Sequence, residues 1–136
     1  AIGYSHGGWT LMWAVATEAQ HPDVDIRAFI MFYPACGGWK TLPGTTPVLM
    51  LLGGKDDWTP AAPCEAVAQS DSRTRGHITA VVYPDAYHAF DSPRIIGRQI
   101  VPDARGGLGA TIEYNPRAHE DAEKQVRAFL AENLKP

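Results

Sequence analysis

The chain has little of what marks nucleic-acid-binding or membrane proteins. Its 12 lysines and arginines stand against 15 aspartates and glutamates, a formal net charge of −3, so no basic surface favours nucleic acid as a partner. No apolar run approaches the roughly 20 residues of a membrane-spanning helix, so we expect no membrane partner. Internal repeats and low-complexity tracts are absent. With 45% hydrophobic and 20% charged residues, the composition is typical of a soluble globular domain.

Apolar segments alternate along the chain with helical patterns, which predicts an α/β fold with a parallel sheet. A break at His21-Pro22 ends the first helix, because proline cannot continue it. Asn115-Pro116 is a typical helix start, a side-chain cap followed by proline. Segment 92–112 is rich in glycine and indicates a loop with a short hairpin. The expected strands are 26–33, 48–52 and 77–83. One helix is expected from Gly7-Gly8 to residue 19, a second over 61–70 and a third from Pro116 onward.

The pentapeptide Gly3-Tyr4-Ser5-His6-Gly7 has the G-x-S-x-G pattern of a nucleophile elbow, the strand-to-helix turn of α/β-hydrolases. Glycines are needed there because the serine occupies a strained turn and the helix passes close to the strand. We therefore predict Ser5 as a nucleophile and the His6 backbone N–H as an oxyanion donor. An ordinary Gly-Ser-Gly turn is the alternative.

A serine nucleophile needs a histidine to take its proton and a carboxylate to orient that histidine. In α/β-hydrolases these follow in the order serine, acid, histidine. Asp56 follows strand 48–52, and His88 follows strand 77–83, each at a strand end where such sheets place their ligands. Asp57 could also be the acid, but the spacing G-x-x-D before x-x-[TV]-P favours Asp56 and leaves Asp57 to hydrogen-bond the loop.

Aromatic residues near these strand ends could form an apolar substrate pocket. Trp9 and Trp39 belong to this group, and its main pocket candidates are Tyr4, Trp58 and Tyr87, while Trp13 is better read as an ordinary core residue.

The remaining histidines, His21, His77 and His119, indicate surface or capping positions, and Asp85 and Asp91 indicate turns. No histidine pair has metal-ligand spacing, so we expect neither a metal nor another cofactor.

Cys36 and Cys64 both follow strand ends and could form a disulfide or remain two buried thiols. A bridge would indicate an oxidising compartment, periplasmic or secreted, whereas free thiols would suit the cytoplasm.

Three motifs together resemble the dienelactone hydrolase family of α/β-hydrolases. They are Gly3-Tyr4-Ser5-His6-Gly7-Gly8, the acid loop 53–60 and the histidine loop 83–90. The resemblance implies Ser5 as nucleophile, Asp56 as orienting acid and His88 as general base. Name-giving members use cysteine as nucleophile, so the serine here favours a more general ester or lactone hydrolase over a dienelactone-specific one.

The resemblance also bears on domain organisation, because several strands normally precede the elbow. It implies that 1–136 is a single partial α/β-hydrolase domain, the C-terminal half, lacking the N-terminal strands and the loop that supplies a second oxyanion donor. An unpaired sheet edge would then favour self-association and low activity. A hydrolase-like scaffold without activity, serving as a binding domain or an inactive fragment, is the alternative function.

Overall fold

The computed structural model describes residues 1–20, 23–72 and 76–134; the predicted break at 21–22 and His21 lie outside these ranges. A four-stranded parallel sheet forms the centre, with its strands in sequence order, which confirms the expected α/β fold. The strands are β1 (Ile2–Tyr4), β2 (Phe29–Phe32), β3 (Val48–Gly53) and β4 (Ile78–Tyr83).

Three longer helices connect and cover these strands, and a small hairpin completes the described fold. The helices are α1 (His6–Ala16), α2 (Ala61–Ser72) and α4 (Pro116–Asn133), and a 3₁₀ turn (Glu18–Gln20) follows α1. Segment 92–112 contains the hairpin, made of β5 (Gln99–Val101), a helical turn α3 (Ala104–Gly107) and β6 (Ala110–Ile112), with β5 and β6 antiparallel.

Both faces of the sheet are covered, which explains why β3 is apolar at every position. On one face α1 and α2 pack through Met12, Val15 and Val67. On the other face Ala122 of α4 and Phe90, from the loop after β4, pack against Leu49 and Leu51. The start of α4 follows the sequence signal, because the Asn115 side chain accepts a hydrogen bond from the Ala118 amide at 3.1 Å.

Several expectations need correction. Strand 26–33 is shorter than expected, because Arg27 is exposed and Tyr33 leaves the strand with a φ of 39°. Trp13 is not a core residue; its ring is half exposed and makes edge contacts with Trp9 and Trp39. His77 is not a surface residue either, since its side chain is buried 2.7 Å from the Asp71 carboxylate.

Strand β1 forms one edge of the sheet, with Ile2 and Tyr4 each 49% exposed. Such an edge can pair with another chain, so self-association stays a prediction. None of the helices in the described ranges is long and apolar enough to cross a membrane.

Candidate active site

Ser5 lies in the turn between β1 and α1, with φ 50° and ψ −114°. Positive φ is strained for a residue with a Cβ, and neighbouring backbone bonds hold the turn in place. The Ser5 amide donates to Phe32 O at 2.9 Å, and Ser5 O accepts from the Trp9 amide at 3.0 Å. A Cβ on Gly3 would lie 2.6 Å from the Gly7 carbonyl carbon, so glycine is required where the helix crosses the strand.

His88 lies on the loop after β4 and connects Ser5 to Asp56. Its Nε2 is 2.9 Å from Ser5 Oγ, and its Nδ1 is 2.8 Å from Asp56 Oδ2. A carboxylate at Nδ1 keeps the proton on that nitrogen, so the Nε2 lone pair faces the serine hydroxyl. The imidazole is almost fully buried, with 4% of its side chain exposed.

The Asp56 carboxylate is buried and accepts four hydrogen bonds. Its Oδ1 accepts from the Trp58 and Thr59 amides, each at 2.8 Å. Its Oδ2 accepts from His88 Nδ1 and from Thr59 Oγ1 at 3.0 Å. These donors offset the loss of water around a buried charge, so the carboxylate has one fixed orientation.

Asp57 points to a different partner from its neighbour. Its carboxylate accepts from the Thr111 amide at 2.8 Å and from the Thr111 hydroxyl at 2.9 Å. Burial by itself would raise the pKa of Asp57, but these hydrogen bonds outweigh it and the pKa lies below its ordinary value. Asp57 therefore ties the acid loop to β6, while Asp56 contacts His88.

Two aromatic rings approach the imidazole of His88. The Tyr33 ring centroid lies 4.5 Å from that of His88, and the Trp58 ring centroid lies 4.8 Å away. The Tyr33 hydroxyl donates to Asp91 Oδ1 at 2.6 Å, and Tyr33 O accepts at 2.9 Å from Thr59 Oγ1, whose single hydrogen is shared with Asp56 Oδ2. Burial, and then the bond to Asp91, raises the pKa of Tyr33 well above its ordinary value, so the phenol stays neutral.

A cavity of about 470 Å³ opens beside the serine. Arg105 brings a positive charge to this cavity from the short turn α3, where its φ is 56°. His6, as the first residue of α1, carries one of the helix-start N–H groups that have no acceptor within the helix. The cavity is lined by Ser5, His6, Trp9, Ala35, Trp58, Thr59 and Arg105.

The structure separates the three aromatic pocket candidates. Trp58 lines the cavity beside Ser5. Tyr4 stacks on Phe32 and lines a different cavity, between β1 and α4. The Tyr87 ring lies under the guanidinium of Arg98, at 4.6 Å. A pocket role for Tyr4 and Tyr87 stays a prediction.

Cys36 and Cys64 are joined by a disulfide, which links the segment after β2 to α2. No cluster of three or more histidine, cysteine, aspartate or glutamate side chains is placed to hold a metal ion in the described ranges.

Sequence reasoning missed Tyr33, Thr59 and Arg105 as neighbours of the site. Thr59 belongs to the acid-loop motif, and Tyr33 directly follows β2 at the same sheet edge as Asp56, so position offered a signal for both. Arg105 offered none, because its glycine-rich segment has no recognisable pattern.

The fold and the contact of Ser5, His88 and Asp56 at the carboxyl edge of its sheet define an α/β-hydrolase-type protein. The chain belongs to the dienelactone hydrolase family, whose model matches residues 1–134. This confirms the resemblance drawn from the three motifs.

Solved structures with the same fold include a candidate dienelactone hydrolase from Klebsiella pneumoniae subsp. pneumoniae MGH 78578, 24% identical with a TM-score of 0.64, covering 96% of this chain and 50% of that one. A dienelactone hydrolase-like promiscuous phosphotriesterase from metagenomic libraries is 19% identical, with a TM-score of 0.64 and coverages of 98% and 51%. A thermophilic esterase from Thermogutta terrifontis is 19% identical, with a TM-score of 0.65 and coverages of 97% and 54%. This chain thus spans about half the length of these structures. No curated protein matches it.

Proposed function

We propose that this chain carries the catalytic groups of a serine hydrolase that cleaves a carboxylic ester or lactone through an acyl-enzyme. The observation that carries the proposal is the unbroken series of contacts from Ser5 Oγ through the His88 imidazole to the Asp56 carboxylate. Membership of a hydrolase family supports it.

In the acylation step Ser5 Oγ attacks the substrate carbonyl carbon while His88 Nε2 takes the hydroxyl proton. The carbonyl oxygen becomes an oxyanion, and the His6 N–H at the start of α1 is one donor that would stabilise it. When the tetrahedral intermediate collapses, the C–O bond to the leaving alcohol breaks, and His88 gives its proton to that oxygen. For a lactone, the alcohol remains attached to the acyl group.

In the deacylation step a water molecule attacks the acyl carbon and gives a proton to His88 Nε2. The ester bond to Ser5 then breaks, the proton returns to Ser5 Oγ and the carboxylic acid leaves. Throughout both steps Asp56 stays ionised and stabilises the imidazolium through Nδ1. Its four hydrogen bonds suit that role, because they stabilise the ionised carboxylate and so disfavour its protonation.

Names of the structural neighbours support the reaction class but leave the substrate open. One is a promiscuous phosphotriesterase, and an esterase 2 from Thermogutta terrifontis is phosphoramylated by tabun. Organophosphorus reagents are therefore suitable probes. As part of the proposal, Trp58 would contact the apolar part of an ester, with Tyr4 and Tyr87 as the remaining pocket candidates.

Domain organisation and compartment remain part of the proposal. We treat 1–136 as one unit comparable with the C-terminal half of an α/β-hydrolase domain, since it spans about half of its structural neighbours. The disulfide favours an oxidising compartment, periplasmic or secreted.

Covalent labelling tests the proposal directly. A fluorophosphonate should add one adduct to the chain, mapped by peptide mass spectrometry to Ser5. Labelling should disappear in Ser5→Ala and fall sharply in His88→Ala, while the control Ser70→Ala on α2 should label like the parent. In an active protein that contains this chain together with an N-terminal half, Ser5→Ala should lower kcat for ester hydrolysis by about 10⁶.

The alternative is a hydrolase-like scaffold that binds a ligand without cleaving it. Under that alternative, folded protein would neither label nor hydrolyse p-nitrophenyl esters. Labelling at a residue other than Ser5 would also contradict the proposed mechanism.

A further inference from the structure

We propose that Tyr33 and Trp58 act on the reaction through His88, by stabilising the imidazolium with their aromatic rings; the catalytic part of this inference rests on the proposed function. The ring centroids lie 4.5 and 4.8 Å from that of His88, with interplanar angles of 56° and 36°. A cation within about 6 Å of an aromatic centroid is attracted by the negative face of the ring.

Within the described ranges, Asp56 is the one carboxylate paired with the His88 imidazole, and Asp91 is bonded to the Tyr33 hydroxyl instead. Asp56 contacts Nδ1 of the imidazole, Ser5 faces its Nε2, and the neutral Thr59 hydroxyl lies 3.1 Å from Nδ1. From the hairpin side, the Glu113 amide donates to His88 O, while the Glu113 carboxylate is paired with Arg98. In this buried position a cation lacks its water shell, so Asp56 and the two rings have to replace it.

The local structure of Tyr33 is unusual for a residue that only fills the core. Its φ of 39° is strained, and three hydrogen bonds hold that conformation: its amide to Leu51 O at 2.8 Å, its carbonyl from Thr59 and its hydroxyl to Asp91. Strained backbone held in this way occurs mainly at functional sites. With 5% of Tyr33 exposed, the residue would influence the reaction through His88 rather than through the substrate.

Nuclear magnetic resonance titration of the His88 imidazole in this chain tests the inference, with the signal assigned by its loss in His88→Gln. The variants Tyr33→Leu and Trp58→Leu keep an apolar neighbour but remove the ring. In each, the titration midpoint should fall by about half to one pH unit, because the charged form loses one aromatic partner. The controls Tyr33→Phe and Trp58→Phe keep an aromatic ring and should lower the midpoint clearly less than the corresponding leucine variants do.

In an active protein, the acid limb of kcat/KM against pH should move with the midpoint, since that limb reports the catalytic base of the free enzyme. A structural role alone would lower the rate without moving the limb. If the chain neither labels nor hydrolyses esters, the proposed function fails, whereas the resonance titration still decides the ring effect.

The inference is overturned if the leucine variants leave the midpoint unchanged or raise it, or if phenylalanine and leucine shift it equally. Should Tyr33→Leu not fold, the Trp58 pair, at a half-buried position, decides by the same criterion.

Discussion

The two loops that carry Asp56 and His88 and the β5–β6 hairpin beside them are built in opposite ways. The loops bury both side chains, at 5% and 3% exposure, and hydrogen-bond them from several directions. The hairpin leaves Ile100 and Leu108 62% and 77% exposed. The difference teaches that the buried part of this sheet edge holds the candidate catalytic groups, while the hairpin contributes cavity wall and outer surface.

Several contacts join the two regions, among them a β-bridge between His88 and Ile112 of the hairpin. Asp57 belongs to the acid loop but hydrogen-bonds Thr111 of the hairpin, and Arg105 of the hairpin lines the cavity beside Ser5. Substitutions on either side of this junction can therefore show whether the contrast holds.

The largest effect should separate the two adjacent aspartates. Asp56→Asn should lower kcat for ester hydrolysis by about 10⁴, because an amide can no longer hold the His88 tautomer. Asp57→Asn keeps a group that accepts from Thr111 and should change kcat less than about tenfold. A larger loss of kcat in Asp57→Asn than in Asp56→Asn would show that Asp57, and not Asp56, is the catalytic acid.

A smaller effect, on the free energy of unfolding, should distinguish the well-packed histidine loop from the exposed hairpin. Phe90, the last residue of the histidine loop, is fully buried, so Phe90→Ala should lower the free energy of unfolding by about 3–5 kcal/mol. Leu108→Ala on the hairpin should change it by less than about 0.5 kcal/mol. Denaturant titration measures both free energies of unfolding. Equal losses would contradict the contrast, because Leu108 would then contribute as much packing as Phe90.

The disulfide joins the segment after β2 to α2, the helix that directly follows the acid loop. Replacing both Cys36 and Cys64 by alanine should lower the free energy of unfolding by about 3–4 kcal/mol, since the 28-residue separation constrains the unfolded chain. Reductant should destabilise the parent and leave the double variant unaffected. Two titratable thiols in freshly isolated, denatured protein would rule out the bridge.

Self-association should distinguish the β1 edge from the hairpin, both of which expose aliphatic side chains. Ile2→Lys should weaken association about tenfold, or about 1.4 kcal/mol, because edge lysines oppose strand pairing. Leu108→Lys on the hairpin should have little effect. Sedimentation velocity over a range of concentrations measures this, and a parent that stays monomeric throughout would show the prediction to be wrong.

The smallest effect concerns the junction between the regions. Because the pKa of Asp57 is lowered in the folded state, its contribution to stability is present above the ordinary value of 3.8 and is lost as pH falls through the folded value. Asp57→Asn should remove this part of the acid dependence. Thermal unfolding of both proteins between pH 6 and about pH 3 tests it, and parallel curves would contradict it.

Local patterns predicted the fold and the spacing of the candidate triad because their causes are local. The apolar run of β3, the glycines around Ser5 and the Asn115 cap each depend on a few neighbouring residues. Trp13 was misjudged for the same reason: an apolar helix in sequence does not reveal which of its sides the sheet covers.

The sequence by itself determined the parallel α/β architecture and the order of Ser5, Asp56 and His88, since strand periodicity and turn chemistry are written in adjacent residues. Only the tertiary structure decided which aspartate contacts His88, that Tyr33 lies against its ring and that Arg105 reaches the cavity. These contacts join strand ends and loops far apart in the chain, so they depend on how the strands align and how the buried loops satisfy their hydrogen bonds.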